Sequence, residues 1–269
     1  MMKFDILTLF PDMVDRILSE SIIGRARSAS LISVACHQIR DYAQNKHNTV
    51  DDTPYGGGNG MVMAAPPIAR CLRAALADAP DGERRRVIYL SPKGKTLTQS
   101  EAVRLSSYDR LVLLCGHYEG VDQRAIDALV DEEISIGDYV LTGGELPACI
   151  LVDSVSRLIP GVLASPSCHE DESIASGLLE YPQYTRPPVW EERAVPEVLL
   201  SGDHGRVDAW RLAESLAVTR ERRPDHYEKW LAEHPPVEPK KRRQSSKKIK
   251  NEPENHAKSP ISSPSDPTF

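Results

Sequence analysis

Three short apolar runs, at residues 86–90, 110–115 and 133–136, recur along the chain with helical stretches between them, at 99–107 and 121–130. Strand-like and helix-like segments that alternate in this way predict an α/β fold with a parallel sheet. Ligands of such sheets bind in the loops that leave the carboxyl ends of the strands. The pattern extends upstream. Residues 4–10 (FDILTLF) read as a buried strand that Pro11 and Asp12 turn into a helix. Residues 31–39 read as another strand, with Ile32, Val34 and Cys36 alternating against polar neighbours. Ile68, Cys71, Leu72, Ala75 and Leu76 follow at helical spacing and close before Pro80. A further helix is expected over 146–158, with Pro147 in the first turn, where a missing N–H costs least. Between the second strand and the helix at Ile68 lies a weakly periodic segment, 40–67, which holds the glycine cluster PYGGGNG at 54–60. Connections of that length usually serve a function.

Bulk properties narrow the field. A chain of 269 residues that is 40% hydrophobic can bury one large core, or a medium one and a smaller one. No apolar stretch has the length of a membrane span, and the first ten residues lack the pattern of a secretory signal, so a cytoplasmic location is expected. The five cysteines, Cys36, Cys71, Cys115, Cys149 and Cys168, are scattered and never spaced as C-x-x-C. Neither a disulfide framework nor a zinc cluster is expected, and no tight metal site. The net charge is −6, but from His234 onward eight Lys and Arg stand against four Asp and Glu, which leaves −10 for the rest. Any nucleic acid must therefore be gripped by local basic groups.

Composition changes after Gly161. Residues 1–163 form the sheet domain, 164–176 read as a Ser-rich and acidic linker, and 177–233 as a smaller, mostly helical unit. In that unit Asp203 is placed to cap a helix running to Arg222, with Pro224 ending it. Residues 234–269 are rich in Lys, Ser and Pro with almost no apolar content, and read as a disordered tail. Its KKRR run at 240–243 suits an RNA contact and a solvated tail equally.

Two phosphate-binding readings fail. Gly94-Lys95-Thr96 resembles the end of a P-loop, yet the glycine required five residues before Gly94 is Tyr89. The cluster at 56–60 resembles a dinucleotide fingerprint, yet Met61 stands where the last glycine belongs and no strand precedes it. Three strand-end loops remain, YLSPKG (89–94), CGHYEG (115–120) and SIGDYVLTGG (135–144). Each alone is an ordinary turn. Three at matching ends of one sheet point to a shared small-molecule site, with glycines admitting close backbone approach and Tyr118, Tyr139 and Leu141 as walls.

GHYEGVDQR (116–124) and SIGDYVLTGGELP (135–147) resemble the loops of the bacterial tRNA (guanine-N1)-methyltransferases. DTPYGGGNGMVM (52–63), GLLEYPQYTRPPVW (177–190) and VLLSGDH (198–204) are similar to the same family, in the expected order from about Lys3 to about His226. The resemblance implies a SPOUT-class fold, an α/β parallel sheet closed by a trefoil knot, followed by a small mostly helical domain. It also implies a homodimer with active sites at the subunit interface, and helix 146–158 is a candidate for that surface. The implied cofactor is S-adenosylmethionine, held by Tyr89, Leu90, Ser91, Pro92, Gly116, Tyr118, Glu119, Ser135, Ile136, Gly137, Tyr139, Leu141, Gly143, Gly144 and Pro147. The implied acceptor is N1 of guanosine 37 of tRNA, read together with guanosine 36 and flipped from its stack. That nitrogen carries a proton, so a carboxylate base is needed, and an arginine to offset charge on the neighbouring carbonyl oxygen. Arg157 matches the arginine. Glu172 holds the position of the base, where the family usually has Asp, and Asp171 is the alternative. Gly58, Asn59, Glu180, Arg186, His204 and Arg211 are candidate tRNA contacts, with Asn59 replacing a more common Pro. Mg²⁺ is also implied, without a dedicated protein site. A non-catalytic RNA-binding protein and a SPOUT enzyme with another RNA target are the competing classes. Glu119, Arg157 and Glu172 speak against the first, and the 177–190 motif against the second.

Overall fold

A computed structural model describes residues 1–164, 173–174 and 176–235. Its first part follows the order β1 (Met2–Thr8), α1 (Pro11–Leu18), α2 (Ser21–Ser28), β2 (Ile32–Gln38), a 3-10 turn (Ile39–Tyr42), β3 (Asp51–Asp52), β4 (Val62–Met63) and α3 (Ala65–Ala75). Then come β5 (Arg85–Thr96), α4 (Gln99–Leu105), β6 (Arg110–Cys115), α5 (Gln123–Leu129), β7 (Glu132–Ser135) and α6 (Glu145–Ser156).

Five strands form one sheet in the order β2-β1-β6-β5-β7, and every ladder in it is parallel. Parallel sheets need cover on both faces. Strand β6, in the middle, is buried at all six positions. Its side chains alternate between two cores as the pleat dictates. Leu111, Leu113 and Cys115 join residues of α1, α2, α4 and α6, while Val112 and Leu114 join residues of α3 and α5.

The edge of the sheet holds an irregularity. Ile134 of β7 pairs with Leu90 and again with Lys95, across a break at residues 91–94. There a β-carbon on Gly94 would stand 2.4 Å from the carbonyl carbon of Glu133. Only glycine lets the two backbones pass so closely. The second half of β5 is then clamped by ions. Lys95 Nζ donates to Glu101 Oε1 (2.6 Å), and Arg104 bridges Glu101 (2.8 Å) and Glu132 (2.7 Å).

The remaining described chain holds the hairpin β8 (Val189–Trp190) and β9 (Arg193–Ala194), then α7 (Glu197–Leu200), α8 (His204–Arg222) and α9 (Pro224–Glu233). Asp203 caps α8 as expected, its side chain accepting from Arg206 N (3.1 Å). Thr219 Oγ1 of α8 accepts from Leu179 N (2.8 Å), which ties the start of this part to its long helix.

Several boundaries differ from the sequence reading by a residue or two, and three places have a clear local cause. The first strand stops at Thr8, because Phe10 N donates to Thr8 Oγ1 and the chain turns there into α1. The run expected to end at Leu90 resumes after its break and reaches Thr96. Pro224 does end α8, but a proline is also a good first residue for a helix, and α9 starts on it. The tail beyond residue 235 and most of the linker lie outside the described residues.

Candidate active site

The strands β5, β6 and β7 end side by side, and the loops leaving them enclose a cleft of about 360 Å³. Tyr89, Leu90, Ser91 and Pro92 come from the first loop, and Gly116, Tyr118 and Glu119 from the second. Ser135, Ile136, Gly137, Tyr139, Leu141, Gly143, Gly144 and Pro147 come from the third and from the start of α6. All the residues assigned to a cofactor by motif position thus line one cleft. Sequence reasoning passed over Lys93, His117, Gln123, Ile126, Val140 and Thr142, which line it too. His117 lies inside a quoted motif. Ile126 could have been found from the inward spacing of α5. Lys93 and Glu119 are the basic and acidic side chains of the lining, one of each sign.

The second loop is held in a costly conformation. Tyr118 has φ of +59°, a region that non-glycine residues enter only when their surroundings enforce it. The enforcement is visible. Arg40 Nη2 donates to Tyr118 Oη (3.2 Å), and Glu119 N donates to Met61 O (3.0 Å). Met63 N donates to Gly120 O and Asp122 N to Met63 O, both at 2.9 Å. The end of the 54–60 glycine cluster is thereby sewn onto the second loop, and Gly60 lies directly against the Glu119 side chain. Gly58 and Asn59 stand exposed at this rim.

The third loop closes on the second. Gly144 N donates to Gly116 O (2.9 Å), and His117 forms an isolated antiparallel bridge with Gly143. A β-carbon on Gly143 would meet Glu145 Oε2 at 2.4 Å and His117 Nδ1 at 2.8 Å, so no other residue fits unchanged. Glu145 is only 4% exposed and accepts from Thr8 Oγ1 (2.8 Å). Behind the loops, burial pushes the Cys149 thiol up to about 11 and holds Cys115 well above its ordinary range. Burial also raises the Tyr89 phenol. These groups are neutral walls at physiological pH, and a thiolate nucleophile has no place here.

The comparisons with known proteins bear on this cleft. The family model described as tRNA (Guanine-1)-methyltransferase TrmD matches residues 2–229. A protein of Ruminiclostridium cellulolyticum named tRNA (guanine-N(1)-)-methyltransferase is 55% identical over 228 residues, covering 85% of this chain and 97% of its own. A protein of the same name from Chloroflexus aggregans is 56% identical over 225 residues, covering 83% and 87%. One from Clostridioides difficile is 52% identical over 228 residues, covering 85% and 98%. The chain belongs to the TrmD family.

The TrmD match spans the cleft, the linker and α8. Among the described residues, Arg157, Glu180, Arg186, His204 and Arg211 do not line the cleft of this one chain. Arg157 is the C-cap of α6, ten residues beyond Pro147, which at 1.5 Å per residue is roughly 15 Å along the helix. Glu172 and Asp171 lie outside the described residues. Arg186 lines a separate groove with Tyr184, Pro187, Val195 and Leu199. His204 opens α8, and Arg211 sits over the Tyr181 ring at 5.1 Å and pairs with Asp208 at 3.4 Å. Glu180 N donates to Ser173 Oγ (2.9 Å), and the Glu180 carboxylate accepts from Gln183.

Proposed function

We propose that this protein transfers a methyl group from S-adenosylmethionine to N1 of guanosine 37 of tRNA. The observation that carries the reading is the convergence of the three strand-end loops on one cleft, in a chain of the TrmD family. The cleft suits such a donor. Its volume falls within the range of small-molecule sites. Leu90, Ile136, Leu141 and Pro147 offer apolar walls to an adenine, and Glu119 and Lys93 complement a zwitterionic tail in kind. When bound, the donor supplies a sulfonium methyl ready for in-line attack. The chain's residues do the rest. Glu172, or Asp171 beside it, takes the N1 proton, because the protonated nitrogen has no lone pair to offer. Arg157 offsets the charge that develops on the guanine oxygen.

Arg157 cannot do this within its own protomer if it stays a helix length from the cleft. Along α6, Leu146, Ile150 and Asp153 form an exposed stripe at helical spacing that leads toward Arg157. Phe10, Met13 and Ile17 expose a second apolar row along α1, which packs on α6. A homodimer that buries both rows and brings Arg157 to the partner's cleft satisfies both facts. The sheet is read as knotted because the family's is, and the double pairing of Ile134 marks a bulge in β5. Residues 1–163 would then be the donor-binding domain, 164–176 the linker and 177–233 the tRNA-binding domain, which includes Arg186, His204 and Arg211. Gly58 and Asn59 would meet the RNA at the cleft rim.

The test is methyl transfer from labelled S-adenosylmethionine to two unmodified tRNA transcripts, one with guanosine at 36 and 37 and one with adenosine at 37. Label recovered as 1-methylguanosine from the first alone is expected. No label on either, with donor binding intact, would leave a non-catalytic RNA-binding protein.

A further inference from the structure

His117 is not among the residues expected to touch the donor, yet its surroundings are unusually specific. Its ring lies between Phe10, in a tilted contact (5.1 Å between centroids), and Tyr118, in an edge-to-face one (4.9 Å). Its Nδ1 is buried and has no hydrogen-bond partner among the described residues. A buried ring nitrogen without a partner is costly, so the first question is what it faces. It faces Gly143. The point 2.8 Å from His117 Nδ1, where a side chain on Gly143 would begin, is also 2.4 Å from Glu145 Oε2. The two polar atoms therefore converge on one notch and are no further apart than the sum of those distances. The other carboxylate oxygen of Glu145 already accepts from Thr8 Oγ1, which in turn accepts from Phe10 N. Oε2 has lone pairs left for a donor from the second loop.

We infer that His117 is a positioning residue, whose Nδ1–H is held for Glu145 Oε2 across the Gly143 notch through one water. The inference rests on the proposed function, because what it positions is the donor-binding cleft. The bridge joins the second loop to Thr8 and Glu145, a pair already bonded to each other, which the loop otherwise meets only through packing and two backbone contacts. Thr8 ends β1, Glu145 opens α6, and His117 precedes Tyr118 and Glu119 in the second loop. Gly143 and Gly144 lie between them on the opposite wall. Locking His117 to Glu145 sets the spacing of the two walls and supports the strained backbone of Tyr118. Gly143 has to be glycine here to keep the notch open.

The test compares donor binding and steady-state kinetics for H117F, H117N, E145Q and the H117F/E145Q double variant. Phe keeps the ring between Phe10 and Tyr118 but removes the donor. Asn returns an N–H near the place of Nδ1. Expected are a loss of about ten-fold in affinity for S-adenosylmethionine in H117F and in E145Q, seen as a higher KM with kcat less affected. H117N should recover most of the loss. The double variant should be no worse than the weaker single, since both remove one bond. Wild-type affinity in H117F, multiplied losses in the double variant, or H117N no better than H117F would each overturn the inference. If H117F fails to fold, H117N against H117Q decides, because the Gln amide reaches the place of Nε2 instead, and equal affinities overturn the inference. A wild-type protein that binds no donor would instead overturn the function on which it rests.

Discussion

Arg110 shows how far a single side chain can depend on its partners. It is 1% exposed at the start of the central strand and donates to Asp5 (2.8 Å), Asp78 (2.8 Å) and Ala75 O (2.9 Å). Glu83 stands 2.9 Å from its Nε, too bent for a hydrogen bond but close enough for ion pairing. A buried cation of this kind is tolerated because several anions share it, and removing it strands them. Arg110→Met should destabilise the protein by about 3–5 kcal/mol in urea unfolding. A loss under 1 kcal/mol would mean that Asp5 and Glu83 reach water or other donors. Nothing in the sequence marked Arg110 as buried, since an arginine that opens an apolar run reads as a strand-end charge.

Among the strands, β5 carries the least regular geometry, and an ion pair to α4 holds its second half. Glu101 lies between Lys95 and Arg104, and Lys95 above all, with Arg104, holds its carboxyl below the ordinary range against the opposing effect of burial. A depressed carboxylate stabilises the fold above its unfolded pKa, and that contribution is lost as pH falls through the lower folded value. Glu101→Gln should therefore cost about 1–3 kcal/mol near pH 7, with a difference from wild type that shrinks on acidification below the ordinary carboxylate range. Urea unfolding at pH 7 and at pH 3 measures it, and an equal difference at both would remove the clamp from the account. Element types were largely legible. The apolar runs of β5, β6 and β7, the spacing of α3 and the Asp203 cap all announce themselves locally. The return of β5 to Ile134 did not, because Ser91 to Gly94 reads as a turn that ends a strand. The β8–β9 hairpin also went unread, its strands being two residues each.

For the whole molecule, the separation of Arg157 from the cleft makes a dimer testable through function. Arg157→Ala and Leu141→Asp should each abolish methyl transfer alone, the first by removing charge stabilisation and the second by placing a carboxylate in the donor wall. In a mixed dimer one site keeps both an intact cleft and an intact arginine. Co-purified mixtures should then regain on the order of a quarter of wild-type turnover per protomer, as random pairing gives half mixed dimers with one good site each. A mixture no more active than its parents would mean that each site is built within one protomer.

Local chemistry was enough to determine the class of fold, the order of most elements and the loops that line the cleft, because hydrophobic period, caps and glycine-rich turns are written in neighbouring residues. It was enough as well to reject the two phosphate-binding readings. What the tertiary structure alone decided is the company these residues keep. Arg110 meets Asp5 over 105 positions and Thr8 meets Glu145 over 137. The three loops face one another because β6 and β5 lie between β1 and β7 in the sheet, and strand order is a matter of long-range packing that no window of sequence records. The notch at Gly143, where His117 and Glu145 converge, exists only once that order has been set.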